Sequence, residues 1–549
     1  MKSRIRTMIS CLLTAMMLIT AISVTANAAD YDSSGATSFV FSDSGISVTE
    51  GTYTGYKVNG TALSITDAGT YIVSGSCSAG TIVVKKNVTG VTLVLDGLTL
   101  SASATAPLTC NKGSEVTIVA KEGTVTNLAD DQYNNDDIYT DTELYPDIEN
   151  AVIKCKDGSN VTICGTGTIS INAYGKNGIK GGYDLYEEDD EGNLTDNLLK
   201  TSSLTIKDVT LNVKSAVNDG IKSDKELNIL SGTITVSAAD DAVKCDYVLN
   251  IGAEGTEGPS MEITEANEGI EAAEINVYSG NIKVNASDDG INAANSDLSN
   301  YEFSYNQYGG NMFVNCTNGD GIDSNGTLLL KGGILEVYGP SSGDGEPLDA
   351  ESAVTFAGAT VLAVGQNQMN QPLASDGAAY VTFGNSGGMG MPGGIFSGNN
   401  SSLVSEGSTI SIKDSSGKEL YSGKAAKGAS YVIFSSPDLT SGSEYTLYNG
   451  NSSVSTSTAT VSGSGNMPGG NIPGGNMPGG NRPDGNRPGD NQPNGQPDTQ
   501  ENQPEDQSDT QDNQNTDNTS DSLLSRFFNM LSSIWAWIVS VAEKAASMF

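Results

Sequence analysis

Through the middle of the chain, apolar and polar positions alternate in short bursts. The runs "LNILSGTITV" (227–236), "INVYSGNIKV" (275–284) and "LLLKGGILEV" (328–337) each read as two short apolar-alternating stretches broken by a glycine. A period of two is that of a β-strand with one buried face. Between these runs one phrase recurs: "KNGIKG" (176–181), "NDGIKS" (218–223), "DDAVKC" (240–245), "NEGIEA" (267–272), "DDGINA" (288–293), "GDGIDS" (319–324) and a degenerate "GEPLDA" (345–350). Its apolar residue falls at Ile179, Ile221, Val243, Ile270, Ile291, Ile322 and Leu348, in steps of 21 to 42 residues. Short strands repeating at such intervals predict an all-β parallel β-helix, each phrase opening one strand of one coil. A β-sandwich would not repeat a phrase, and propeller blades need longer periods.

Three insertions rich in tyrosine interrupt the coils, at 129–148, 183–197 and 296–310; the first two are also acidic. Long loops at coil corners lie on the surface and shape binding faces. The phrase opens coils within 29–350, and β-type text without it continues over 351–450, as expected of a cap on the last coil. Six pentapeptides from "NMPGG" at 466 to "NQPNG" ending at 495 lie in an Asn/Pro/Gly-rich segment, 451–521, which cannot bury a core and reads as a disordered linker.

The chain ends, over 522–549, in a helical pattern with Leu524, Phe527, Phe528, Leu531, Trp535, Ile538, Val541 and Ala545 on one face. Its uncharged span between Arg526 and Glu543 is 16 residues, short for a bilayer, so an interfacial or docking amphipathic helix is expected, in contact with membrane or cell envelope. At the other end, Lys2, Arg4 and Arg6, an apolar run and an A-x-A site at Ala26–Ala28 mark residues 1–28 as a secretory signal peptide. The expectation is a secreted chain retained at the cell surface.

Composition narrows the chemistry. Sixty-six acidic side chains stand against 28 basic ones, with no histidine and a formal charge of -38. Such a surface repels nucleic acid, and a polyanionic partner would need a bridging cation. Without histidine, Ser-His-Asp and Cys-His mechanisms cannot be assembled.

Stacking the coils about 4.8 Å apart places equivalent residues of the phrase one above another. The position before the glycine becomes a ladder of Asn177, Asp219, Asp241, Glu268, Asp289 and Asp320, with Asn218, Asp240, Asn267 and Asp288 one place back. The outward residue after the apolar one runs Lys180, Lys222, Lys244, Glu271, Asn292, Asp323, Asp349. Two carboxylates at that spacing repel by roughly 3–4 kcal/mol at an effective dielectric of 20. Lysines neutralise the first rungs only. A hard cation with several oxygen ligands, calcium rather than magnesium, suits the rest. The same acids also suit turns, because Asp and Asn hydrogen-bond their own backbone there.

The tyrosines offer rings for sugar faces: Tyr133, Tyr139, Tyr145, Tyr183, Tyr186, Tyr301, Tyr305 and Tyr308. Equally, they can pin loops onto the coils. Cys110 and Cys155 share the inward column of the phrase on adjacent coils, as a disulfide or as buried thiols.

With these motifs, residues from about 40 to 450 resemble the secreted bacterial carbohydrate-binding β-helix family whose fold is that of the family 9 polysaccharide lyases. "DAGTYIVSGS" and "VTLVLDGLTL" resemble its opening coils, "NDGIKS", "DDGINA" and "GDGIDS" its central coils, and "YVIFSSPDL" its closing segment. The resemblance implies a right-handed helix, binding of cell-wall polysaccharide (cellulose or acidic pectic chains), and calcium on Asp219, Asp240, Asp241, Asp288, Asp289, Asp320 and Asp323. The related lyases hold calcium with a "DDxxD" arrangement and use a lysine base. Here the last position is Lys244 in one phrase and Asn292 in another, which favours holding a glycan over cutting it. In a lyase, Lys222 or Lys244 would have to serve as base; a third possibility is an adhesin that uses the repeat only as a rod. The chain is expected to act as a monomer.

Overall fold

The computed structural model describes residues 31–189, 191, 193–343, 345–367, 371–384 and 402–462. The expected signal peptide, most of the linker and the terminal amphipathic helix lie outside them. Among the described residues every regular element is a strand.

Three ladders of short parallel strands run along the chain, compatible with the expected β-helix. The first is built from the repeated phrase, with Ile153, Ile179, Ile221, Val243, Ile270, Ile291 and Ile322 as successive partners. The second carries Asn160–Cys164, Ser203–Ile206, Glu226–Ile229 and later strands to Leu373–Ser375. The third carries Thr168–Ala173, Thr210–Ser215, Thr233–Ser237 and later strands to Thr360–Gly365. Every apolar residue of the phrase is buried, as are the inward residues of all three ladders, which meet in one continuous core. Each such aliphatic side chain stabilises the fold by about 1.5–3 kcal/mol.

The glycine of the phrase has a packing explanation. A Cβ on Gly290 would lie closer than 3.0 Å to Val314 Cγ1 and to the Gly321 carbonyl oxygen, and Gly178, Gly220, Gly269 and Gly321 face the same valine and carbonyl pattern. The backbone there passes tightly between a third-ladder valine and the next coil. The amides continue the stack: Gly220 N–H donates to Asp241 O, Gly269 to Asp289 O and Gly290 to Asp320 O.

Two expected boundaries move. Parallel pairing does not stop at 350, because Val354–Phe356 stacks on Thr327–Leu330 and then receives Leu373–Ser375. It ends where Tyr431–Ser435 pairs antiparallel with Thr360–Gly365 and Tyr380–Phe383. Beyond this lies a four-stranded antiparallel sheet with its own apolar cluster, including Ile410, Ile412, Phe434 and Leu447. Its last strand is Ser452–Thr458, so the linker does not begin at 451: alternate residues of this strand continue the sheet through hydrogen bonds that need no apolar side chains.

Cys110 and Cys155 are register partners, as the phrase alignment requires, yet both are free, buried thiols. The contact with Cys155, then burial, raises the Cys110 thiol well above its ordinary pKa. All six cysteines after residue 28 fill interior slots in the thiol form.

Candidate functional site

On the outer side of the first ladder the column after the apolar residue runs Lys154, Lys180, Lys222, Lys244, Glu271, Asn292, Asp323. Asp349 follows, tied to the preceding coil by Asp349 N–H to Ile322 O and Ser324 N–H to Asp349 O. The face therefore changes from basic to acidic along its length, and the acids before the glycine lean into it.

Three carboxylate clusters result, and in each the oxygens lie within 4.8 Å of one another: Asp219, Asp240 and Asp241; Asp241, Glu268 and Glu271; Asp320, Asp323 and Asp349. The first two have a counter-ion. Lys244 donates to Asp241 Oδ2 at 2.7 Å and also pairs with Glu271. The third has none, and no ion pair among the described residues includes Asp289, Asp320, Asp323 or Asp349. Backbone amides provide partial compensation: Asp320 N–H donates to Asp289 Oδ1, and Glu346 N–H to Asp320 Oδ1.

Burial is the leading cause of high carboxyl pKa values along the column. It lifts Asp219 to about 6 with help from Asp241, and Glu268 to about 8 with help from Asp241 and Glu271. It lifts Asp320 to about 7 against the Glu346 amide, and Asp323 to about 6 with Asp349 and Asp289 adding repulsion. Asp241 and Asp289 are raised for the same first reason.

Three observations bear on whether a cation fits. Asp219 Oδ1 and Asn292 Oδ1 are buried without a hydrogen-bond partner. Asn292 donates its amide to Glu268 Oε2 at 3.2 Å. A Cβ at Gly319 would lie closer than 3.0 Å to Asp288 Oδ1 and Asp289 Oδ1, so both carboxylates occupy a cradle that only glycine leaves open. The donor set is all oxygen, the set a hard divalent cation takes. Asp288 itself is exposed and outside the three clusters, whereas Glu268, Glu271 and Asp349 belong to them. The ladder alignment contained these three; their participation depended on how far each side chain reaches across the column.

The lysines divide differently from expectation. Burial opposes the charge on Lys244, but Asp241 and Glu271 outweigh it and hold the ammonium well above its ordinary pKa. Lys222 lies 3.7 Å from Asp246 and 3.9 Å from Asp224. Lys154, one coil before the first phrase, is the rung that burial and then Lys180 push down, to about 8.

The tyrosines fall into several settings. Tyr133, Tyr139 and Tyr145 form a ring trio at centroid distances of 4.9, 5.8 and 5.1 Å. Their loop is set by buried Asp130, which accepts from the Tyr174 and Gly175 amides and from Asn134, while Asn134 Oδ1 accepts from the Glu149 and Asn150 amides. Tyr183 donates its hydroxyl to Asp246 Oδ2 at 2.8 Å and is pinned; Tyr186 is half-buried in the hairpin of Leu185–Glu188 and Leu194–Lys200. Tyr308 is exposed and stacks on Tyr278, 5.2 Å away at 13°. Tyr305 is not available to a ligand: it stacks in register between Ile275 and Leu328, is 0% exposed, and gives its hydroxyl to Gln307 and Met312. Strand alternation places it inward, which a count of tyrosines in the loop overlooks.

Tyr301 stands at a cleft of about 880 Å³ lined also by Phe303, Glu274, Glu302, Asn306 and Glu351. Its ring meets Phe303 at 5.7 Å and Tyr247 at 6.0 Å. The floor continues an asparagine ladder on the second sheet, in which Asn250, Asn276 and Asn306 each donate to the preceding asparagine, beginning at Asn228.

Residues 59–195 and 184–256 match the model of a family described as carbohydrate-binding domain-containing protein. No curated protein matches the chain. A solved structure described as that of a polysaccharide lyase-like protein from C. thermocellum, a gadolinium derivative, aligns at 20% identity over 59% of this chain and 97% of that one, with a TM-score of 0.32.

Proposed function

We propose that the protein is a non-catalytic, calcium-dependent polysaccharide-binding protein, a right-handed parallel β-helix secreted and held at the cell surface. The observation that carries the cation part is the third cluster: Asp320, Asp323 and Asp349 converge within 4.8 Å, and no ammonium pairs with them among the described residues. Asp289, Asp320, Asp323 and Asp349 would hold calcium there, with Asn292 Oδ1 a further oxygen on the adjacent rung. Asp219, Asp240, Asp241, Glu268 and Glu271 form the second candidate set, already part-neutralised by Lys244. Bound calcium supplies positive charge that relieves the column and can bridge to a glycan carboxylate.

The match of residues 59–256 to a carbohydrate-binding family supports a polysaccharide partner, cellulose or an acidic pectic chain. Lys244, ion-paired on both sides, supports holding rather than cutting. The test is a pull-down on polygalacturonate and on cellulose with calcium or with chelator. Retention on polygalacturonate that is indifferent to chelation removes the bridging role, and retention on neither polymer removes the function.

A further inference from the structure

We propose that the cleft beside Tyr301 is a second glycan site, for sugars that carry protonated amino groups, and that it works without a metal ion. The site rests on shape, rings and charge together. The cleft of about 880 Å³ is roomy enough for several sugar units, and its wall presents Tyr301 and Phe303 at a centroid distance of 5.7 Å. Aromatic faces take up the apolar face of a pyranose and attract a cation. Of the 11 lining residues three are glutamates, Glu274, Glu302 and Glu351, and none is Lys or Arg, against 66 acidic residues in 549 for the whole chain. The floor offers amide and hydroxyl groups through Asn306, Ser304 and Thr327.

A second observation points to an ammonium in particular. In the same ring cluster, the Lys225 ammonium sits 4.1 Å from the Tyr247 ring centroid while also pairing with Asp184 at 3.3 Å, and Tyr247 meets Tyr301 edge to face at 6.0 Å. The cluster already takes one alkylammonium of the protein against a ring, beside a carboxylate. Tyr301 and Phe303, with the three glutamates of the cleft, offer the same combination to a ligand. A uronate would meet three carboxylates there with no cation between, so this site and the carboxylate column select opposite kinds of glycan. The inference takes from the proposed function only that the ligand is a glycan.

The experiment is calorimetric titration of the secreted chain, in chelator and at mildly acid pH, with tetrasaccharides of glucosamine, N-acetylglucosamine, glucose and galacturonate. The glucosamine tetrasaccharide should bind at least about tenfold more tightly than the others. Tyr301→Ala and Glu351→Gln should each weaken it by about tenfold, while Glu262→Gln, which lies on the third ladder and pairs with Lys283, should not. Equal binding of the glucose tetrasaccharide overturns the recognition of amines. Equal loss in Glu262→Gln and Glu351→Gln, or no loss in Tyr301→Ala, assigns the binding to the net charge of the chain and overturns the site. Because Glu351 is exposed, its isosteric replacement tests the site without threatening the fold. Chelator is present throughout, so failure of the calcium reading leaves these outcomes unchanged.

Discussion

Asp323→Asn tests the cation reading by a change of sign, because the same carboxylate burdens the bare column and serves it once an ion is bound. Asp323 shares its cluster with Asp320 and Asp349, with oxygens no more than 4.8 Å apart. At an effective dielectric of 20 each such pair repels by roughly 3.5 kcal/mol. All three residues are partly exposed, and solvent screening cuts the relief from removing one charge to about 1–2 kcal/mol. In chelator at slightly alkaline pH the variant should therefore melt above the wild type. With calcium about 100-fold above its dissociation constant, binding stabilises the wild type by about 2.7 kcal/mol, and the variant, short of one charged ligand and binding about 100-fold more weakly, should gain only about 0.4 kcal/mol. The two proteins should exchange order between the buffers. Differential scanning calorimetry in chelator and in calcium, with magnesium as control, reads this directly. A variant less stable than wild type in both buffers, or a wild type unmoved by calcium, would refute the reasoning.

Three further outcomes follow from the same geometry. The pKa values of Glu268, Asp320 and Asp323, about 8, 7 and 6 against ordinary values of 4.5, 3.8 and 3.8, mean that the native state binds more protons than the unfolded one between about pH 4 and pH 8. Stability of the metal-free protein should thus fall as pH rises through that window, and calcium should flatten the dependence; a metal-free profile that rises with pH contradicts it. Gly290→Ala should destabilise by about 1–3 kcal/mol in thermal melts, because its Cβ meets a valine methyl and a carbonyl of the next coil, and an unchanged melting temperature would remove the packing account of the phrase. Lys244→Met should cost about 3 kcal/mol in chelator by stranding Asp241 and Glu271, and calcium titration should then restore more stability than it adds to wild type; an equal calcium response in both proteins would show that the first two clusters take no ion.

How much was legible in the chain depends on the range of the interaction. Period-two alternation and the recurrence of Ile179, Ile221, Val243, Ile270, Ile291 and Ile322 identify strands and align them on one another, since a slip of one residue would turn every apolar side chain outward. Alternation equally contained the burial of Tyr305, whose neighbours in register are Ile275 and Leu328. The glycine before most of the apolar residues was visible as a recurrence, but its cause, a third-ladder valine pressing on the phrase, joins residues from different sides of the coil.

What the sequence by itself determined, then, is the set of columns: which residues share a face and in what order acids follow lysines along it. Tertiary structure alone decided where side chains on a column meet. It placed Lys244 between Asp241 and Glu271, left Asp288 in solvent, brought Asp349 to Asp320 and Asp323, and set Tyr301 rather than Tyr305 at a cleft. The physical reason is that backbone hydrogen bonds fix strand register to within one residue. The reach and burial of each charged or aromatic side chain depend instead on every coil and loop packed beside it.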